Sequence, residues 1–220
     1  TGLLDPNTKT LIGPEYALLR PEFAQLRSES LDRRKIPQLR RILITMGGVD
    51  KTNMTCRLLD ALDGGILADE IAITVVMGPH APYLVEVRKR AEQMRRTTQV
   101  LVGVTNMARL MTDSDLAFGA AGSTVWERSC LGLPTVTVVL AENQIEVARA
   151  LREIGASIVI DADNDVSSMV RELFDDPLTS KMSELTTRSS MICKGGGTST
   201  VTDLMLSKSQ DDTNANFFTR

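Results

Sequence analysis

The chain has 220 residues, 42% hydrophobic and 24% charged, enough to bury a substantial core in one large domain or two small ones. A formal charge of -3, a pI of about 5.3 and only 4% aromatic residues exclude a dedicated nucleic-acid binder, which needs basic surface and stacking rings. Cys56, Cys130 and Cys193 are far apart in sequence, odd in number and form no CxxC pair, so neither a zinc site nor a disulfide framework is suggested and a reducing, cytoplasmic setting is expected.

Apolar stretches such as Leu133–Ala141 fall well short of the roughly 18 residues of a membrane span, so no membrane partner is expected. No signal-peptide pattern precedes the first elements. The chain opens on Thr1, in "TGLLDPNTKTLIGPEY", and is expected to be part of something longer.

Residues 1–40 read as a lead-in or interdomain linker, with turn residues Pro6, Asn7, Gly13 and Pro14, the segment "YALLRPEF", and a charged stretch "SESLDRRKIPQLRR" expected to be a solvated loop. "RILITM" (41–46) is a buried strand, followed by "GGVDKTN" and a helix over 53–62 that turns Met54, Leu58, Ala61 and Leu62 inward. "IAITVVM" (71–77) is a second strand. "GPHAP" then leads to a helix with Leu84, Val87, Ala91 and Met94 inward and Arg88, Lys89, Arg90, Arg95 and Arg96 outward. "QVLVG" (99–103) is a third strand, "TNMARLMTDS" a short helix, "DLAFG" (115–119) a fourth strand and "STVWERSCLG" its helix. "PTVTVVL" (134–140), a helix over 143–154 and the short strand "SIVI" (157–160) follow. Helices over 165–174, 178–191 and 197–207 complete a domain of residues 41–208, and 209–220 read as a polar, frayed tail.

Strands separated by helices demand a parallel sheet covered on both faces, and right-handed crossovers make it a Rossmann-like, doubly wound α/β domain. Ligands of such sheets bind outside the carboxyl ends of the strands, so candidate site residues are those just after each strand. Gly47 and Gly48 follow the first. They allow close backbone approach to a ligand, with helix-start N–H groups for phosphate, or else form a tight turn. Gly119-Ala120-Ala121-Gly122-Ser123-Thr124 follows the fourth, where a phosphate can take backbone N–H bonds and the Ser123 hydroxyl, or Ser123 simply caps the helix. Glu127 lies one turn further. A carboxylate beside a phosphate needs another partner, and the paired hydroxyls of a ribose provide one; the alternative is an exposed glutamate beside Arg128.

After the fifth strand, Asn143 and Gln144 present amides to a polyhydroxylated, amide-bearing substrate, or Asn143 is a helix cap. His80, the single histidine, has no acid or nucleophile pattern around it and reads as a loop residue. There is no HExxH, Walker A or GxSxG motif, and no carboxylate cluster suggests a metal.

Together, "MGGVD", "GAAGSTVWERSCLGLPTV" and "AENQ", preceded by "GPEYALLRPEF", resemble the C-terminal half of the nucleotide-sugar hydrolase of pseudaminic acid biosynthesis, over residues 11–208. Gly119–Gln144 is the most specific part. That family is similar in fold to the peptidoglycan N-acetylglucosaminyltransferase, so the resemblance implies the C-terminal domain of a glycosyltransferase-B type fold. It further implies metal-free hydrolysis of UDP-2,4-diacetamido-2,4,6-trideoxy-β-L-altropyranose to UDP and the free sugar, water attacking the anomeric carbon. UDP is the implied ligand, with no cofactor. Gly122, Ser123 and Thr124 match the phosphate turn, Glu127 the ribose-binding glutamate, and Asn143 and Gln144 the amides near sugar and diphosphate. Asn143 is the one residue here with a sugar-side, catalytic match, and Val102, Gly103 and Val104 fall near the uracil.

The family's proposed histidine base lies in a glycine loop of an N-terminal domain that is absent here, and His80 does not match it. The chain is therefore expected to bind UDP weakly and turn over nothing alone, with that domain as its partner and a monomer or weak oligomer as its state. Two other readings stay open. One is a domain of a UDP-sugar glycosyltransferase, which transfers to an acceptor. The other is a non-catalytic nucleotide-sugar binding module.

Overall fold

The computed structural model describes residues 8–162, 164–175 and 178–217. The turn expected at Pro6 and Asn7 and the last three residues of the expected tail lie outside these. Six strands, β1 (Arg41–Thr45), β2 (Ala72–Met77), β3 (Thr98–Val102), β4 (Leu116–Ala120), β5 (Thr135–Val139) and β6 (Ile158–Asp161), form one sheet in the order β3-β2-β1-β4-β5-β6. Every pairing is parallel. Nine helices are described: α1 (Pro21–Arg33), α2 (Met54–Asp63), α3 (Leu84–Glu92), α4 (Met107–Asp113), α5 (Thr124–Cys130), α6 (Ile145–Glu153), α7 (Val166–Asp175), α8 (Leu178–Ile192) and α9 (Gly197–Phe217).

Alternation along the strands feeds two cores. Ile42, Ile44, Val75, Met77, Leu116 and Phe118 face one side, packed with Met54, Leu58 and Leu62 of α2 and Val166, Val170 and Leu173 of α7. Leu43, Val76 and Ala117 face the other, with Phe23 of α1, Ala108 and Met111 of α4 and Cys130 of α5. A sheet buried on both faces explains the near-continuous apolar runs. Each fully buried Ile, Leu or Phe contributes about 1.5–3 kcal/mol. Helices on both faces of a parallel sheet give the expected Rossmann-like, doubly wound α/β fold.

Three local expectations are corrected. The first part of the stretch Ser28–Arg41 is helix rather than solvated loop, while residues 35–40 are loop as expected. Pro21 at the first helical position starts α1, which buries Phe23 and Ser30. Its arginines serve carbonyls rather than water. Arg34 is buried and donates to the carbonyls of Gly132 (3.1 Å), Met111 (3.0 Å), Ser114 (3.1 Å) and Thr112 (3.4 Å), satisfying the end of α4. Burial, and then Arg33 nearby, push its guanidinium down to about 9. Arg27 likewise donates to the carbonyls of Cys130, Cys193 and Ser190.

Arg96 is also buried rather than outward, donating to the carbonyls of Leu67 and Ala68. Finally, α9 continues through Phe217 instead of giving way to a tail at 209, since no glycine or proline interrupts residues 198–217.

The amino end of β4 is pinned by Asp115. Its buried carboxylate accepts from the backbone N–H groups of Arg40 and Arg41, both at 2.8 Å, and pairs with Arg33 at 2.5 Å. That end of the sheet is opposite the loops considered next.

Candidate functional site

β1 and β4 are neighbours, Thr45 opposite Gly119. β2 and β3 extend from one side of this pair and β5 and β6 from the other, so the winding reverses between them. The helices that follow β1 and β4 pack in opposite cores, so the loops between diverge at the switch point, the place where a crevice forms in such sheets and ligands bind. Gly47 and Gly48 stand on one wall. Gly122, Ser123 and Thr124 stand on the other.

The two walls differ in what they leave free. On the β1 side, the carboxylate of Asp50, buried and in the left-handed region at φ 44°, accepts from the N–H groups of Met54 and Thr55, both at 2.9 Å. The start of α2 is therefore already satisfied by an internal anion, and the helix-start argument for phosphate does not apply there. Gly47, at φ 85°, keeps its ability to bring backbone close to a ligand. Gly48 has a structural neighbour: a Cβ on Gly78, after β2, would collide with the Gly48 carbonyl. That close approach joins the β1 and β2 loops. His80 follows Gly78 and is exposed, as a loop residue.

On the β4 side, a Cβ on Gly119 would strike the Arg128 guanidinium, so this glycine makes room for an arginine rather than a ligand. Gly122 faces open space. Ser123 is exposed and makes no side-chain capping bond, which corrects the capping alternative. The Thr124 hydroxyl accepts from Arg128 at 2.9 Å and keeps its own proton for another acceptor. Gly122, Ser123 and Thr124 thus line the crevice with polar groups that can still bond.

Glu127 is half-buried in the first turn of α5, not exposed as the bland alternative had it. Burial pushes its carboxyl above the usual glutamate range, Arg20 and Arg128 pull it back, and Glu22 adds to the push. Arg20 belongs to the "YALLRPEF" segment and had no role in the sequence reading. It donates to the carbonyl of Thr105, beyond β3, at 2.8 Å, pairs with Glu22 at 3.0 Å, and stacks 5.4 Å from the Phe23 ring centre. It therefore ties the β3 loop to the surroundings of Glu127. Val102 ends β3, Gly103 turns at φ 65°, and Val104 packs in the same apolar cluster as Trp126 of α5.

Arg128 is the other residue missed. The adjacent Glu-Arg pair suggested two solvated charges, yet Arg128 is 1% exposed. Its signal was helical spacing: it lies three residues after Val125 and seven after Ala121, both buried. Beside this wall, after β5, residues Glu142–Gln144 form a 3-10 turn. Gln144 is half-buried and its Oε1 accepts from the Leu140 N–H at 3.0 Å, so part of its amide closes the loop. Asn143 is exposed and does not cap the following helix, whose capping position is Gln144.

Residues 66–195 match the glycosyltransferase family 28 C-terminal domain. The chain belongs to this family. The chain is 35% identical over 147 residues to the uncharacterised protein MJ1062 of Methanocaldococcus jannaschii, covering 64% of this chain and 29% of that protein. It is 28% identical over 152 residues to the spore coat polysaccharide biosynthesis protein SpsG of Bacillus subtilis, covering 69% and 44% respectively. It thus spans less than half the length of either relative.

Two solved structures share the fold. MurG of Acinetobacter baumannii superposes with a TM-score of 0.68 at 20% identity, over 94% of this chain and 58% of that one. Anabaena Alr3699/HepE, in complex with UDP-glucose, gives 0.56 at 13% identity, over 89% and 56%.

Proposed function

We propose that this family 28 domain is the nucleotide-sugar-binding half of a UDP-sugar glycosyltransferase-type enzyme, gripping UDP in the crevice between β1 and β4. The observation that carries the reading is the β4–α5 wall at the switch point. Gly122 opens to solvent, Ser123 and Thr124 offer hydroxyls, and half-buried Glu127 stands one turn behind. Phosphate oxygens accept from the loop, and the Glu127 carboxylate accepts from ribose hydroxyls. Val102, Gly103 and Val104 flank the base, and Gly47, Asn143 and Gln144 lie toward diphosphate and sugar. The UDP-glucose bound by HepE, a protein of the same fold, agrees with this ligand class.

A second reading, hydrolysis of UDP-2,4-diacetamido-2,4,6-trideoxy-β-L-altropyranose, rests on the resemblance carried by "MGGVD", "GAAGSTVWERSCLGLPTV" and "AENQ", preceded by "GPEYALLRPEF". In either reading His80, the single histidine, on the exposed β2 loop, is not assigned the general base. Binding is proposed to be metal-independent.

Two measurements test this. In a UDP titration, Glu127→Ala is expected to weaken binding by about 1.5–3 kcal/mol, the loss of a charged hydrogen-bond acceptor; unchanged affinity removes Glu127 from the site. Product analysis with the full-length enzyme separates the two reactions. Sugar released only onto an acceptor supports transfer, and free sugar without one supports hydrolysis.

A further inference from the structure

Among the described residues, no ion pair is formed by the buried cation Arg128. Its hydrogen bonds go to neutral groups of the β4–α5 loop, the Thr124 hydroxyl at 2.9 Å and the Ala120 carbonyl at 2.8 Å, and its Nε has no partner. Glu127 acts on it only through space, and burial lowers the guanidinium to about 10, so it stays charged at neutral pH. Gly119 is the residue that leaves it room. Burying a charge among neutral partners is costly, and a cation in a poorly screened interior projects its field further than one in water. Its bonds to Ala120 and Thr124 seat it against the loop that carries Gly122 and Ser123.

We propose that Arg128 is a positioning residue for the diphosphate: seated behind the Gly119–Thr124 loop, it holds the loop's shape and supplies the positive charge that favours a nucleoside diphosphate over the bare nucleoside. The proposal rests on the nucleotide reading above and assigns to one residue the recognition of the ligand's charged part. A merely structural role would weaken every ligand of the crevice alike. A charge role weakens only the phosphorylated one.

The test is an NMR titration of the full chain with UDP and with uridine, for wild type, Arg128→Gln and Arg128→Lys. Glutamine keeps amide donors for Ala120 and Thr124 but loses the charge; lysine keeps the charge. Arg128→Gln is expected to lose about tenfold or more in UDP affinity with uridine changed less than about twofold, and Arg128→Lys to recover most of the UDP preference. Equal losses for both ligands, or an unchanged UDP affinity, overturn the proposal. The same spectra report folding. Should Arg128→Gln not fold, the lysine variant decides alone: a retained preference for UDP supports the proposal and a lost one overturns it. Wild type that binds UDP no better than uridine overturns this inference alone, whereas wild type that binds neither overturns the nucleotide reading and this inference with it.

Discussion

Glu127, the proposed ribose partner, carries a stability cost. Its carboxyl is raised by burial, so the folded chain holds that proton more tightly than the unfolded chain does. Between the ordinary glutamate range and the raised folded value, the folded state binds more protons, and stability falls as pH rises through that window. Above it the cost of a half-buried carboxylate is fully present; below it the cost vanishes. Glu127→Gln is therefore expected to raise the thermal midpoint at neutral pH, leave it unchanged at acid pH, and weaken UDP. Thermal melts at the two pH values check this, and an equal effect at both would disagree. Gly119→Ala acts from the other side of the same wall. Its new Cβ meets the Arg128 guanidinium, an overpacking cost of about 1–3 kcal/mol readable by urea unfolding.

At the scale of elements, the strands were legible because a two-faced sheet needs near-continuous apolar and β-branched runs, and β1, β2, β4 and β5 have them. Helix α1 was not, because counting charges in "SESLDRRK" treats arginine as a surface residue. Arg27 and Arg34 instead use planar, many-donor guanidiniums to satisfy the carbonyls of Cys130, Cys193, Ser190, Met111 and Gly132. The same error hid Arg96 and Arg128. Positions after strands were readable from topology alone, so the loops at the crevice were found; which hydrogen bonds those loops had already spent was not. Asp50 filling the start of α2 is the clearest case.

If α1 is part of the core rather than a linker, removing residues through Arg34 uncovers Leu43, Ala117 and Cys130 and abolishes cooperative unfolding. A truncated chain that melts like the full one would contradict this. Asp115→Ala, at the opposite end of the sheet from the crevice, is expected to cost about 3 kcal/mol in urea unfolding while leaving UDP affinity intact.

At the scale of the whole molecule, the chain covers 29% of MJ1062, 44% of SpsG and 58% of MurG, so each of these proteins has a large part with no counterpart in it. That division suits the chemistry on the page. This chain has a switch-point wall built from Gly122, Ser123, Thr124 and Glu127, with Arg20 and Arg128 behind it, and its single histidine stands on another loop. Gripping UDP is the task proposed for this wall. The most direct test of that grip changes protein and ligand together: UDP and 2′-deoxy-UDP titrated against wild type and Glu127→Ala. A carboxylate holding the ribose predicts that wild type prefers UDP, that Glu127→Ala loses the preference, and that the coupling amounts to about 1.5–3 kcal/mol. The same preference in both proteins, with the two changes adding independently, would contradict it.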